Sequence, residues 1–135
     1  MKIREIRCAG LRGGTPEGGW SNEIRPKDCV QTLVAVHTDE GAVGIGSVFT
    51  NDALVHASLS VLEPLYLGEN ALEPERVSEK LHQNMFWLGR GGSITHTISG
   101  IDMALWDLLG KATGQPVGRL LGGRYRERVQ PYASL

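Results

Sequence analysis

The sequence predicts an α+β domain, a three-stranded antiparallel meander followed by a helical bundle. Three observations carry this. Residues 29–49, CVQTLVAVHTDEGAVGIGSVF, hold two runs rich in β-branched residues joined by the short connection DEG. From residue 50 the apolar spacing changes from the period of a strand to that of a helix. The first three strand signals carry no helix between them, so they pair as a meander and not through parallel crossovers.

Each element follows in order. KIREIRCAGL, residues 2–11, reads as the first strand, with Ile3, Ile6 and Cys8 turned inward. RGGTPEGGWSNEIRPKD, residues 12–28, is a long loop, since its four glycines and two prolines continue neither a strand nor a long helix. Loops of that length in a compact domain are usually functional or disordered. VQTLVAVHT and AVGIGSV are the next two strands, with Gly41 suited to a positive φ between them. Gly44 and Gly46 predict a close backbone approach by whatever packs above the third strand.

The first helix starts at Thr50–Asp52, where each residue is a possible N-cap. Its expected apolar stripe is Leu54, Ala57, Val61, Leu62 and Leu65, with a kink or end at Pro64. A second helix opens with Pro74 in its first turn and buries Val77, Leu81 and Met85, with Leu88 extending the face, until GRGG at 89–92 stops it. For the third, Ser99 is the expected N-cap, with Asp102 bonding back to it. Ile101, Ala104, Leu105, Leu108 and Leu109 form its stripe, Asp107 and Lys111 pair at i, i+4, and Gly114 ends it. Pro116 starts a further short turn with Val117, Leu120 and Leu121 inward. VQPYASL then reads as one more strand, with no partner in the meander.

Composition narrows the function classes. The chain has 135 residues, 41% of them hydrophobic and 21% charged, and a net charge of −1. Such a chain buries about two-thirds of its extended surface. The balance gives no general attraction to nucleic acid or to an anionic membrane. No apolar run reaches the length of a membrane span, and MKIREIRCAG lacks the apolar core of a secretory signal. Cys8 and Cys29 fit no metal or redox spacing and read as free thiols of a cytoplasmic protein. The histidines, His37, His56, His82 and His96, show no metal-ligand spacing and read as structural. GRGG lacks the spacing of a phosphate loop and no strand precedes it. Arg119, Arg124, Arg126 and Arg128 read as a solvated or domain-docking face.

The stretch SGIDMALWDLLGKATGQPVGRLLGG, residues 99–123, resembles the N-terminal signature of the mandelate racemase/muconate lactonizing enzyme family of the enolase superfamily. The matching residues are Ser99–Asp102, Ala104–Asp107, Gly110–Lys111, Pro116–Val117 and Leu120–Gly123. Thr97 departs from the alanine that the family carries more often. The resemblance implies an enolase N-terminal-domain-like cap over residues 1–124, with 125–135 as the start of a (β/α) barrel domain and RVQPYASL as its first strand. It implies chemistry in which the proton α to a carboxylate is abstracted and Mg²⁺ stabilises the enediolate. The metal ligands and the Lys or His bases of the family lie on barrel strands, so no catalytic and no metal-binding residue is expected in this chain. The signature itself is then a docking and folding element.

The cap of this family contributes two loops that close over the barrel mouth. By resemblance they are residues 12–28 and the GSVFTNDA segment. The candidate substrate-binding residues are Trp20, Arg25, Phe49, Thr50 and Asn51; Trp20 also reads as a loop anchor, and Thr50 and Asn51 as helix caps. Arg25 suits a carboxylate or hydroxyls. FWLGRGG followed by SGIDMALWD looks more like the acid-sugar dehydratases than the cycloisomerases, and Asn22, Glu23 and Arg25 suit a polyhydroxylated substrate. A racemase, epimerase or cycloisomerase is the alternative. An alternative of another class is a cap-only binding or assembly module without catalysis. The partners expected are the protein's own C-terminal barrel and a small carboxylate substrate, in a homo-oligomer.

Overall fold

The connection Asp39–Gly41 turns the chain sharply because Gly41 takes a φ of 82°, open to a residue without a Cβ. Around it β2 (Gln31–Thr38) and β3 (Val43–Val48) pair antiparallel. The first strand, β1 (Ile3–Leu11), pairs antiparallel with the other edge of β2, giving the order β1-β2-β3. The structure, a computed structural model, describes residues 1–13 and 28–132. Helices follow: α1 (Asp52–Tyr66), α2 (Pro74–Met85), a single 3₁₀ turn (Phe86–Leu88), α3 (Gly92–Thr113) and the short α4 (Val117–Leu120). The meander-plus-helices architecture is the one expected.

One sheet face is covered. Ile3, Ile6, Val34, Val36 and Val48 join α1, α2 and α3 in one apolar core with Val55, Leu62, Val77, Leu81, Ile101 and Leu105. The helix crossing the sheet is α3, and the glycines of β3 set its distance. A Cβ on Gly44 would lie 2.0 Å from the Ala104 carbonyl oxygen, and one on Gly46 would lie 2.1 Å from that of Gly100. The expected close approach is therefore backbone on backbone.

Several elements differ from their sequence reading; the buried face of α2 does not extend to Leu88, which lies in the 3₁₀ turn and is exposed. In α1 the buried residues are Val55, Ser58, Leu59, Leu62 and Tyr66, so of the expected stripe only Leu62 is buried. Leu54 and Val61 are about half exposed. The helix has apolar residues on two sides, and Ser58 completes the buried one because its hydroxyl donates to the Leu54 carbonyl (2.8 Å). Pro64 does not stop the helix at once; α1 runs on to Tyr66 and closes through the Leu67 amide on the Glu63 carbonyl.

The third helix starts seven residues before Ser99, at Gly92. Its first turns are rich in β-branched residues, which favour strands over helices. Thr97 and Ser99 donate their hydroxyls to the carbonyls four residues back, Ser93 (2.8 Å) and Thr95 (3.0 Å). That bond is how Thr97, fully buried, is tolerated. Ser99 is thus no N-cap, and Asp102 instead accepts from Ser78 Oγ of α2 (2.6 Å), tying the two helices. The helix ends as expected. Gly114 is left-handed (φ 65°), and the Gly114 and Gln115 amides bond the Lys111 and Gly110 carbonyls. Beyond α4, Leu121 is exposed instead of inward. Residues 124–132 form neither helix nor strand, and the rest of VQPYASL lies outside the described residues.

The pair Asp107–Lys111 does more than brace its helix. Asp107 accepts from the Ile45 amide (2.8 Å), Lys111 donates to the Val43 carbonyl (2.8 Å), and the two side chains meet at 2.6 Å. Two helix side chains thus occupy backbone groups on the open edge of β3, where a fourth strand would otherwise pair. Burial pushes the Asp107 carboxyl upward, but Lys111 and the Ile45 amide outweigh it and hold it below the usual carboxylate range. A depressed carboxylate contributes stability above its unfolded pKa and loses it as pH falls through the folded value. The Asp107 contribution is therefore complete at neutral pH and fades below about pH 4. Asp107→Asn should flatten the pH dependence of melting in that acid window, and Asp107→Ala with Lys111→Ala should open the edge to concentration-dependent self-association. Melting curves across pH and light scattering check both outcomes.

Candidate functional site

The candidate site is built where β3 leaves the sheet. After Val48 the backbone of 49–51 no longer runs in a ladder, and side chains from two other elements, β2 and α3, take its carbonyls. Thr32 Oγ1, at the start of β2, donates to the Thr50 carbonyl (2.8 Å). His96 Nδ1, on α3, lies 3.2 Å from the Phe49 carbonyl. A carbonyl only accepts, so Nδ1 carries the proton in this contact. Asn51 is the N-cap of α1, its Oδ1 accepting from the Ala53 amide (2.9 Å), while its Nδ2 donates to the Cys29 carbonyl (3.1 Å).

The next residue ties in the end of β1. Arg12 donates to Asp52 Oδ2 (2.9 Å). Gly10 leaves the room this needs, since a Cβ there would lie 2.4 Å from Asp52 Oδ2 and 2.6 Å from Cys29 Sγ. The segment 49–52 is thus fastened to both flanks of the 12–28 loop, at Arg12 and at Cys29.

Of the candidate residues, Phe49, Thr50 and Asn51 stand together here. Trp20 and Arg25 lie outside the described residues. Phe49 presents its ring with 53% of its surface exposed. Beside it runs a shallow groove of about 180 Å³ lined by Ser47, Phe49, His96, Ser99 and Met103. The caps that Thr50 and Asn51 suggested are partly realised: Asn51 caps α1, and Thr50 offers its carbonyl to Thr32. Sequence reasoning missed Thr32 and Gly10, saw Asp52 only as a possible cap, and read His96 as structural. Thr32 carried one signal, a hydroxyl at an inward position of a strand whose other inward residues are Val34, Val36 and Thr38.

The remaining motifs are occupied structurally. Arg90 of GRGG lies over the Phe86 ring, 4.5 Å from its centroid. It borders a cavity of about 460 Å³ between α2 and α3, lined also by His82, Met85, Ile94 and Ile98. Burial pushes the Cys8 thiol up, helped by Asp52 and Cys29, away from thiolate chemistry. The Tyr66 hydroxyl is pushed up to about 12 by burial, then by Glu63 and Glu5. Among the described residues no group of three or more His, Cys, Asp or Glu is placed to hold a metal. No described helix is long and apolar enough to cross a membrane.

A family profile described as "Mandelate racemase / muconate lactonizing enzyme, N-terminal domain" matches residues 27–122. The chain belongs to this family. It is 40% identical to a D-galactonate dehydratase family member of Paenibacillus sp. (strain JDR-2), over 97% of this chain and 30% of that protein. It is 36% identical to the D-galactarolactone cycloisomerase of Agrobacterium fabrum, over 99% of this chain and 35% of that protein. The 3,6-anhydro-D-galactonate cycloisomerase of Zobellia galactanivorans superposes with a TM-score of 0.81 at 27% identity, covering 98% of this chain and 35% of that one. The chain thus spans about a third of the length of these relatives. It is an N-terminal domain of the enolase superfamily, with acid-sugar dehydratases and cycloisomerases among its relatives. Within the mandelate racemase/muconate lactonizing enzyme signature, Asp107 and Lys111 close the sheet edge and Gly100 lies under β3, where a Cβ would sit 2.6 Å from Val48.

Proposed function

We propose that this chain is the capping and substrate-specificity domain of an enzyme that abstracts the α-proton of a hydroxylated carboxylate, with dehydration of an acid sugar as the reaction. The observation that carries the reading is similarity over nearly the whole chain to a dehydratase relative, together with an aromatic side chain presented on a fastened segment. Phe49 covers an apolar face of the substrate and Thr50 lines the wall beside it. Asn51 joins them as the residue that fixes the bend. Trp20 and Arg25 complete the proposed set, Arg25 toward the carboxylate or hydroxyls. The chain's own work is to exclude water and to select the substrate, which strengthens every electrostatic contact in the closed site.

Mg²⁺ is part of the proposal as the group that would neutralise the developing enediolate. Among the described residues no cluster is placed to hold it, and by the family resemblance it would be held by a barrel domain, this domain's proposed partner. A homo-oligomer in the cytoplasm completes the picture. Cycloisomerisation is a second reading, favoured by the superposition on the Zobellia galactanivorans enzyme.

The test is to incubate the purified protein with Mg²⁺ and a panel of aldonic and aldaric acids and their lactones. Dehydration appears by mass spectrometry as loss of one water and a 2-keto-3-deoxy acid. Cycloisomerisation leaves the mass unchanged. A protein of intact mass 14.7 kDa that turns over none of them would instead be a cap-only binding or assembly module.

A further inference from the structure

We infer that Thr32 and His96 are positioning residues for the substrate-facing segment Phe49–Asn51, an inference that rests on the reading of that segment given above. Thr32 is fully buried on the core face of β2, in line with Val34 and Val36. Valine at that position would fill the strand as well and would leave no hydroxyl to satisfy. The hydroxyl has a specific use, since it donates to the carbonyl of Thr50. Thr32 pairs across the sheet with Val48, the last residue of β3, so its hydroxyl stands where the chain turns out of the ladder.

Peptide carbonyls that leave a ladder need new partners when they stay near the core. Here Thr32 supplies one for Thr50, and His96 supplies one for Phe49 across 47 positions of sequence. With both carbonyls held, the peptide planes on either side of Thr50 are fixed. The Phe49 ring is then directed from the backbone, with 53% of its surface still open. Asn51 fastens the next residue through its cap and through Cys29. Neither Thr32 nor His96 is proposed to touch substrate; they act through the residues they hold.

The test uses Thr32→Val, which exchanges a hydroxyl for a methyl at constant shape, and His96→Ala. Thr32→Ser and His96→Asn restore a donor. Two readouts are taken, backbone ¹⁵N relaxation of residues 49–52 in the full chain and the KM and kcat of the sugar-acid activity. The expected result is faster local motion at 49–52 in Thr32→Val and His96→Ala. KM rises about fivefold with kcat within about twofold, and both donor-restoring variants return toward the original values. Relaxation unchanged in both variants overturns the inference alone. Loosening without any kinetic change overturns the reading of the segment as substrate-facing, and the positioning role with it.

Discussion

Gly44→Ala is expected to destabilise the domain by about 3 kcal/mol, the upper end of the usual cost of overpacking. The added Cβ would fall 2.0 Å from the Ala104 carbonyl oxygen and 2.9 Å from its carbon. Those are backbone atoms in the middle of a 22-residue helix, so no side-chain rotation relieves the clash. Either α3 lifts from the sheet or β3 bends away, and each opens the core at Leu108 and Leu105. Gly46→Ala meets the Gly100 carbonyl oxygen at 2.1 Å and should cost about as much. In a domain of this size the melting temperature should fall on the order of 10 °C. Gly91→Ala is the control, because Gly91 is extended (φ −162°) and a Cβ there meets nothing within 4 Å. Thermal and denaturant unfolding decide it. A loss under about 1 kcal/mol at both strand positions would mean that the helix is not seated as described.

Leu105→Ala should cost about 2–5 kcal/mol, the range for emptying a packed leucine site. Leu105 is fully buried on α3, whose neighbours in the core come from the sheet, from α1 and from α2. The helix that carries it packs on the sheet, on α1 and on α2, so collapse around an emptied site is limited. Leu121→Ala is the comparison: Leu121 is 61% exposed beyond α4, and its loss should stay within about 0.5 kcal/mol. Urea unfolding of both variants gives the difference directly. Equal effects would contradict the assignment of the core.

These two positions also show what the sequence carries openly. Gly44 and Gly46 inside a β-branched run announce a close neighbour, and Leu105 lies on an unbroken helical stripe. The architecture is legible because strand and helix periods change once, at residue 50. The face of α1 is not, because Leu54 and Val61 are apolar yet turned outward, while the buried row includes a serine. A period count sees side-chain polarity, not a hydroxyl satisfied by its own helix. The early start of α3 is hidden in the same way by β-branched residues whose helical state is imposed by tertiary packing. Within the site, Phe49, Thr50 and Asn51 are visible as a group because they sit at a strand-to-helix corner. Their anchors are not, since Thr32 and His96 reach them across 18 and 47 positions, and Arg12 reaches the neighbouring Asp52 across 40. Such pairings have no signature along the chain.

The central claim, that this domain serves an enzyme taking the proton α to a carboxylate, is common to the dehydratase and cycloisomerase readings. Solvent exchange at that carbon tests it most directly. The purified protein, with its proposed barrel domain, is incubated with Mg²⁺ and sugar acids in deuterium oxide, and the α-position is followed by ¹H NMR. The account predicts enzyme-dependent loss of the α-proton signal, with solvent deuterium at C3 of a 2-keto-3-deoxy product, for at least one acid sugar. A protein of the same length as its dehydratase relatives that leaves the α-proton of every acid sugar in place would contradict it.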